Sequence, residues 1–213
     1  IRNYPVTRIS VNPQTMNQET LDIIGRRHTV QETEQAFKLA RECGFDNINM
    51  DLIVGLPGED KAMVEHTLEE VRRLAPDSLT VHSLAVKRAA RLNMFKDKYQ
   101  EMTFENNQEI MDMTMKTAYE MEMGPYYLYR QKNMKGNFEN VGYAKVDKAG
   151  IYNILIMEEK QPIIALGAGG SSKLVFDHGQ RIERVENVKD VSNYISRIDE
   201  MIERKRTAIA TWL

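Results

Sequence analysis

Apolar and polar residues alternate in three short segments of the first 85 residues. The segments cover residues 7–12, 47–53 and 78–84, and alternation of this kind predicts β-strands. Helical spacing predicts helices over 19–25 and 61–74, and a third between Thr29 and Gly44 that opens with the capping-box sequence Thr29-Val-Gln-Glu32. Strands that alternate with helices predict parallel βαβ units.

Each predicted strand has one apolar and one polar face. The polar positions are, strand by strand, Arg8, Ser10 and Asn12; Asn47, Asn49 and Asp51; Ser78, Thr80 and His82. In an open sheet covered by helices on both faces, the strands would be almost continuously apolar. The pattern therefore predicts a barrel wall with helices outside and a polar lumen. Because three strands cannot close a barrel, we expect part of the wall to lie outside this chain.

The second half of the chain has a different pattern. A methionine-rich segment predicts a long helix over 104–123, and apolar runs predict strands over 126–129, 151–157 and 163–166. An amphipathic pattern predicts a closing helix over 188–206. We therefore predict an α/β fold with a barrel fragment of three parallel βα units over 1–100 and a smaller α+β domain over 101–213.

Composition narrows the function classes. The 213 residues carry a net charge of −2, from 29 basic and 31 acidic side chains, which argues against a broad nucleic-acid or anionic-membrane surface. No apolar run is long enough to span a membrane and no export leader is visible, so we expect a cytoplasmic protein. The one cysteine, Cys43, shares its predicted helix face with Ala36 and Ala40 and is expected to be buried and inert. One cysteine makes neither a disulfide nor a protein-held iron–sulfur cluster.

Two charged residues near predicted strand ends are candidates for ligand binding. Asp51 lies near the carboxyl end of its strand, where parallel α/β folds place their sites, and suits ribose hydroxyls; the alternative is a structural ion pair with Arg8. Arg26 suits a carboxylate or phosphate, and the alternative is a solvated helix end. His82 would face the lumen, as a ligand contact or as a hydrogen-bonded core histidine.

Two segments of the second half add candidates. Three tyrosines precede two cations and two amides in the segment Tyr126–Asn133, a combination that suits a flat anionic ligand or a strand leading into a solvated loop. The glycine-rich turn after Leu166 has the spacing of neither a dinucleotide fingerprint nor a phosphate loop.

Taken in order, six motifs resemble those of a known family, the oxygen-independent coproporphyrinogen III oxidases, which are radical S-adenosylmethionine (SAM) enzymes. The motifs are Arg8-Ile-Ser-Val-Asn-Pro-Gln14, Gly25-Arg-Arg-His-Thr29, Met50-Asp-Leu-Ile-Val-Gly-Leu-Pro57, Tyr129-Arg-Gln-Lys-Asn133, Gly136-Asn-Phe-Glu-Asn-Val-Gly-Tyr143 and Gly167-Ala-Gly-Gly-Ser171. The resemblance covers nearly the whole chain, and Tyr129-Arg-Gln-Lys-Asn133 points to a variant subgroup of the family.

The resemblance implies a fold and a mechanism for the complete protein. The fold is an incomplete (β/α)6 barrel followed by a C-terminal domain, and the three strands resemble its last three. In such enzymes a [4Fe-4S] cluster, held by a Cys-x3-Cys-x2-Cys loop, reduces SAM, and the radical formed removes hydrogen from a propionate before carbon dioxide is lost. This sequence lacks that loop. We therefore expect this chain to be the C-terminal portion of the enzyme, to bind no cluster and to show no turnover by itself.

The resemblance also implies site residues. SAM would contact Asn12 and Asp51 at the ribose, Arg26 at the carboxylate and Ala85 near the adenine, and the cofactor site would include Gly169, Gly170 and Ser171. A charge argument adds Tyr129, Arg130 and Lys132 as contacts to the porphyrinogen and its propionates.

Two alternatives stay open at this point. One is a haem-binding or haem-delivery protein of the same fold, and the other is an ordinary α/β small-molecule-binding domain. The predicted partners are the porphyrinogen and the missing N-terminal half of the barrel, with no nucleic acid and no membrane. An unpaired strand at the open edge of the barrel is further expected to favour self-association.

Overall fold

The computed structural model describes residues 1, 3–84, 106–129 and 138–212. The chain forms two compact units, residues 1–150 and residues 151–213. The elements of the first unit are β1 (Ile9–Ser10), α1 (Gln18–Ile23), α2 (Val30–Glu42), β2 (Ile48–Val54), α3 (Lys61–Leu74), β3 (Ser78–Ser83), α4 (Gln108–Glu120), β4 (Gly124–Tyr129) and β5 (Asn140–Ala144). The three predicted βα units are therefore present.

The first unit is built on one five-stranded sheet with the order β1-β2-β3-β5-β4. The pairs β1–β2 and β2–β3 are parallel, as predicted, and β5 joins β3 and β4 in antiparallel pairs. The apolar face carries Ile48, Met50, Leu52, Leu79 and Val81, all at most 2% exposed. This face forms one core with buried side chains of the helices: Phe37, Ala40, Val64, Leu68, Val71, Ile110 and Ala118.

The ends of the helices follow from local chemistry. Thr29 and Glu32 form the predicted capping box at the start of α2, with Thr29 N–H donating to Glu32 Oε2 over 2.7 Å. The predicted inner face of this helix was wrong in part, because Thr33, Phe37 and Ala40 are buried whereas Ala36 and Cys43 are exposed. Cys43 is the C-cap residue, one position beyond the last residue of the helix, and its side chain is exposed.

The predicted domain boundary near residue 100 lies outside the described residues and stays a prediction. The antiparallel strands β4 and β5 come from beyond that position, yet they extend the same sheet as the parallel strands. Among the described strands β1 is an edge, and the expected self-association through it also stays a prediction. No helix in the described parts of the chain is both long and apolar enough to cross a membrane.

The second unit contains α5 (Ile151–Met157), the hairpin of β6 (Ser171–Phe176) and β7 (Arg181–Glu186), α6 (Val191–Ser196) and α7 (Ile198–Trp212). The strand predicted over 151–157 was wrong, since this apolar run is helical; short apolar runs do not distinguish the two states. The run 163–166 makes only an isolated bridge, at Ile163 to Lys173. The closing segment predicted as one helix is divided into α6 and α7.

Candidate functional site

The polar face of the sheet predicted from the alternation is present in the first unit. Asp51 on β2 pairs in register with Thr80 on β3, which pairs with Gly142 on β5, which in turn pairs with Tyr127 on β4. These four residues form one row across the sheet. The row thus brings a carboxylate, a hydroxyl and a phenol onto one surface, with glycine between the hydroxyl and the phenol.

Asp51 is the acidic centre of this surface. Asn49 Nδ2 donates to Asp51 Oδ1 over 2.6 Å, and His82 Nε2 lies 3.9 Å from Asp51 Oδ2. Burial opposes ionisation, but the neighbouring His82 and the hydrogen bond from Asn49 outweigh it and hold the pKa of Asp51 below its usual value. About a quarter of the Asp51 side chain is exposed, 26%. Asp51 is therefore an ionised carboxylate with acceptor capacity accessible from the polar face.

The alternative ion pair between Arg8 and Asp51 does not form. Arg8 Nη2 instead donates to Ser78 Oγ over 3.1 Å, and Ser78 Oγ donates to Asn49 Oδ1 over 3.1 Å. The amino-terminal end of the polar face is thus a chain of hydrogen bonds headed by Arg8. Because Arg8 bonds Ser78, it does not occupy the carboxylate of Asp51.

A tyrosine wall, formed by Tyr127 and Tyr129, borders the polar face on the β4 side. Their rings are nearly parallel, with an angle of 9° and centroids 6.2 Å apart, and His82 meets Tyr129 edge-on at 6.5 Å. A Cβ at Gly142 would lie 2.0 Å from Tyr127 Cε1, so only glycine lets this ring lie against the sheet. Burial raises the pKa of Tyr127 to about 12, and its phenol stays protonated at neutral pH.

Arg26 is held by Gln14, a residue that the sequence pattern did not indicate. Arg26 Nη2 donates to Gln14 Oε1 over 2.9 Å. Gln14 is buried, with left-handed backbone at φ 70°, and its N–H donates to Asp51 O while its carbonyl accepts from Ile53 N–H. Asn12, the predicted ribose contact, is exposed. The backbone of Gln14 therefore ties the Arg26 guanidinium to the strand that carries Asp51.

The glycine-rich turn lies in the second unit, and its backbone groups are already engaged. Gly169 N–H donates to Val188 O over 2.8 Å, and Gly170 N–H donates to Gly167 O over 3.2 Å. Ser171 Oγ donates to Glu186 Oε1 over 2.7 Å. These bonds define the shape of the turn, and the predicted cofactor role of Gly169, Gly170 and Ser171 stays a prediction.

The remaining predicted site residues, Ala85, Arg130 and Lys132, lie outside the described residues. Cys43 is exposed at the end of α2, and the further thiolates that a [4Fe-4S] cluster needs are missing, since the chain has no other cysteine. Across the described ranges, no group of three or more His, Cys, Asp or Glu side chains is placed to hold a metal ion. The residues of this chain thus do not fit the cluster.

The sequence is similar to a known protein family and to individual proteins of known name. Residues 1–71 match the model of the radical SAM superfamily. The chain is 44% identical over 205 residues to the oxygen-independent coproporphyrinogen-III oxidase-like protein HemZ of Bacillus subtilis, a match covering 96% of this chain and 41% of that protein. The haem chaperone HemW of B. subtilis is 36% identical over 87 residues, or 41% of this chain and 23% of HemW.

A solved structure shares the fold. The structure reported as "Coproporphyrinogen III oxidase (HemN) from Escherichia coli is a Radical SAM enzyme" matches 93% of this chain with a TM-score of 0.67 and 20% identity. The match covers 44% of that chain, so the present chain spans about two fifths of the length of HemZ and HemN. The parallel sheet is accordingly part of a radical SAM barrel. The chain belongs with the oxygen-independent coproporphyrinogen III oxidase-like proteins of the radical SAM superfamily.

Proposed function

We propose that the polar face of the sheet binds SAM in the complete protein, and that the complete protein oxidatively decarboxylates coproporphyrinogen III to protoporphyrinogen IX in haem biosynthesis. The observation that carries the proposal is that two complementary groups are attached to the same strand. Asp51, accessible and ionised, lies on β2, and the Arg26 guanidinium is linked to β2 through Gln14. SAM presents a ribose diol and a carboxylate, and these two protein groups match those two ligand groups.

Each residue of the surface has a proposed task. Asp51 accepts hydrogen bonds from the ribose hydroxyls, and Asn49 and His82 keep its carboxylate oriented and charged. Arg26 presents its remaining N–H donors to the SAM carboxylate. Bound SAM would supply the hydrogen-abstracting chemistry of the complete protein.

The substrate side of the proposal rests on the tyrosine wall. Tyr129 offers an aromatic face to a pyrrole ring, and Arg130 and Lys132, which follow it in the sequence, would pair with propionates. Asn12, Ala85 and the glycine-rich turn around Gly169 remain proposed cofactor contacts through the family resemblance. No step is assigned to a cluster on this chain, because its residues do not fit one.

The test uses the full-length protein reconstituted anaerobically with iron and sulfide. Coproporphyrinogen III, SAM and a low-potential reductant are added, and the porphyrin products are separated after oxidation. The expected result is protoporphyrin with release of carbon dioxide, reduced at least tenfold by Asp51→Asn and unchanged by the control Asp112→Asn on the exposed surface of α4.

The second candidate is a haem chaperone, favoured by the 36% identity to HemW over 87 residues. It predicts that the full-length protein binds haem stoichiometrically and forms no protoporphyrin. The first proposal has the wider support, because the similarity to HemZ extends over 96% of the chain. Haem binding without turnover would reverse this order.

A further inference from the structure

A buried carboxylate cluster lies beside the proposed SAM site and has no part in the chemistry assigned above. Glu59, in the loop between β2 and α3, is only 2% exposed. Thr15 Oγ1 donates to Glu59 Oε1 over 2.5 Å, and Asn17 Nδ2 donates to the same oxygen over 3.0 Å. A carboxylate without such donors would be strongly unfavourable at this depth.

The cluster joins three segments of the first unit. Thr67 on α3 accepts from Met16 N–H over 3.1 Å, and its hydroxyl lies 3.2 Å from Thr15 Oγ1. Because Thr15 has one hydroxyl proton and donates it to Glu59, Thr67 is the donor in the Thr15–Thr67 pair. Asn17 is the N-cap residue of α1, yet its side chain makes no cap bond; its amide donates to Met63 O over 2.9 Å.

The position of this cluster determines how Gln14 is held. Gln14 immediately precedes Thr15 and has left-handed backbone, a conformation that non-glycine residues adopt only when their surroundings fix it. Its backbone is bonded to β2 on one side, at Asp51 O and Ile53 N. The residue that follows it is bonded to Glu59 on the other side. Gln14, whose Oε1 accepts from Arg26, therefore lies between two attachments, one to β2 and one to Glu59.

We propose that Glu59 is a positioning residue for the Gln14–Arg26 pair and thereby for the SAM carboxylate. This proposal rests on the SAM-binding function proposed above. Loss of the Glu59 carboxylate removes the acceptor of Thr15, loosens the chain on the carboxyl side of Gln14 and lets the guanidinium of Arg26 move. A displacement of about 1 Å in such a contact weakens binding or catalysis by up to roughly 100-fold.

The experiment compares full-length variants in which SAM itself is the probe, with its dissociation constant measured by titration calorimetry under anaerobic conditions. Glu59→Ala is expected to raise the Kd, and the KM for SAM, by roughly 10-fold or more, with kcat at saturating SAM changed less than about threefold. Glu59→Gln is expected to recover most of the affinity, because its amide oxygen accepts from Thr15 and Asn17 as the carboxylate does.

A matched control separates positioning from general loss of stability. Asp77, which directly precedes β3, is a second buried carboxylate of the first unit, and it accepts from Ile48 N–H at the amino end of β2. Asp77→Ala is expected to lower the melting temperature at least as much as Glu59→Ala while leaving the Kd for SAM within about twofold. Thr15→Val, in which valine has nearly the shape of threonine but no hydroxyl, tests the same contact if Glu59→Ala does not fold. It is also expected to raise the Kd for SAM.

The outcomes are distinct. A folded Glu59→Ala or Thr15→Val protein that binds SAM like the wild type overturns the positioning role, while the proposed function stands. A wild-type protein that fails to bind SAM overturns the proposed function together with this inference.

Discussion

A buried carboxylate lies at each end of the parallel sheet, and the two differ in the hydrogen-bond donors that hold them. At the amino ends of the strands, Asp77 Oδ2 accepts from the backbone N–H of Ile48 over 2.8 Å and from Arg41 Nη1 over 2.6 Å. At the carboxyl ends, Glu59 accepts only from side chains in its described bonds, those of Thr15 and Asn17.

This difference separates a structural contact from a functional one. Asp77 ties α2 to the start of β2, and Arg41 adds bonds to Ala75 O and Phe45 O, so the whole set lies between secondary-structure ends. The Glu59 cluster ties the segment that carries Gln14 to the loop before α3 and to α3 itself. Parallel α/β folds place their sites at the carboxyl ends of strands, where loops can vary without loss of the sheet. We therefore expect the amino end to govern stability alone and the carboxyl end to govern stability and binding.

The largest loss of stability is expected for Asp77→Ala. The substitution leaves the partly buried Arg41 guanidinium and the Ile48 N–H without their acceptor, and it should lower the free energy of unfolding by about 3 kcal/mol. Urea denaturation followed by circular dichroism measures this loss. A change below that of Glu59→Ala would contradict the contrast between the two ends.

Glu59→Ala is expected to lower the free energy of unfolding by about 2 kcal/mol, because Thr15 and Asn17 lose an acceptor but retain Thr67 and Met63 O as partners. The same urea titration measures it, and Glu59→Gln is the matched control. Equal losses for the alanine and glutamine variants would show that charge, and not the accepting oxygen, stabilises the cluster.

Gly142→Ala tests the row that carries Asp51. The new methyl group would overlap Tyr127, so the ring must leave the sheet, at a cost of about 1 kcal/mol. Near-ultraviolet circular dichroism should show altered tyrosine signals, and the combined substitution with Tyr127→Ala should relieve the overlap. Gly124→Ala is the control, since a Cβ at that glycine would have no heavy atom within 4 Å beyond its two chain neighbours. An unchanged tyrosine signal in Gly142→Ala would contradict the described packing.

The lowered pKa of Asp51 predicts a small acid-dependent loss of stability. A carboxylate whose pKa is lower in the folded protein stabilises it above the unfolded value, close to 3.8, and that contribution disappears as the pH falls through the folded value. Asp51→Asn should remove this part of the pH dependence between about pH 5 and the folded pKa. Denaturation at a series of pH values measures it, and identical curves for wild type and variant would contradict the assignment.

The smallest effect is expected at Cys43, near the amino end of the sheet. Its thiol is exposed, so Cys43→Ser should change the free energy of unfolding by less than about 0.5 kcal/mol. A thiol reagent should label the folded wild-type chain at this position within minutes. Protection of the thiol until the protein unfolds would instead support the buried position predicted from the helix pattern.

The polar face could be predicted from the sequence because alternation has a period of two along any strand. Asp51 and His82 could be placed on that face for the same reason. The strand predicted over 7–12 was too long, because β1 ends at Ser10 and the chain then turns through the left-handed Gln14; the ribose contact of Asn12 stays a prediction. Alternation does not encode such a turn, and the spacing between Gln14 and Arg26 gave no local signal that they would meet.

The hydropathy pattern could not predict contacts between residues that are far apart in the sequence. Thr15, Glu59 and Thr67 are 52 positions apart at most, and each is an ordinary polar residue in its own segment. Only the parallel sheet and α3 bring them together. The sequence does show a glutamate directly after the Gly55-Leu-Pro-Gly58 turn. Only its burial in the structure distinguishes this glutamate from an ordinary surface residue.

The most direct test of the central claim, that the polar face of the sheet binds SAM, is the Kd for SAM of the full-length protein carrying Asp51→Asn. The amide removes the charge and one acceptor from the centre of that face, and the expected increase in Kd is roughly 10-fold to 100-fold. Asp112→Asn, on the exposed surface of α4, should bind as the wild type does. Equal affinity in all three proteins would contradict the account.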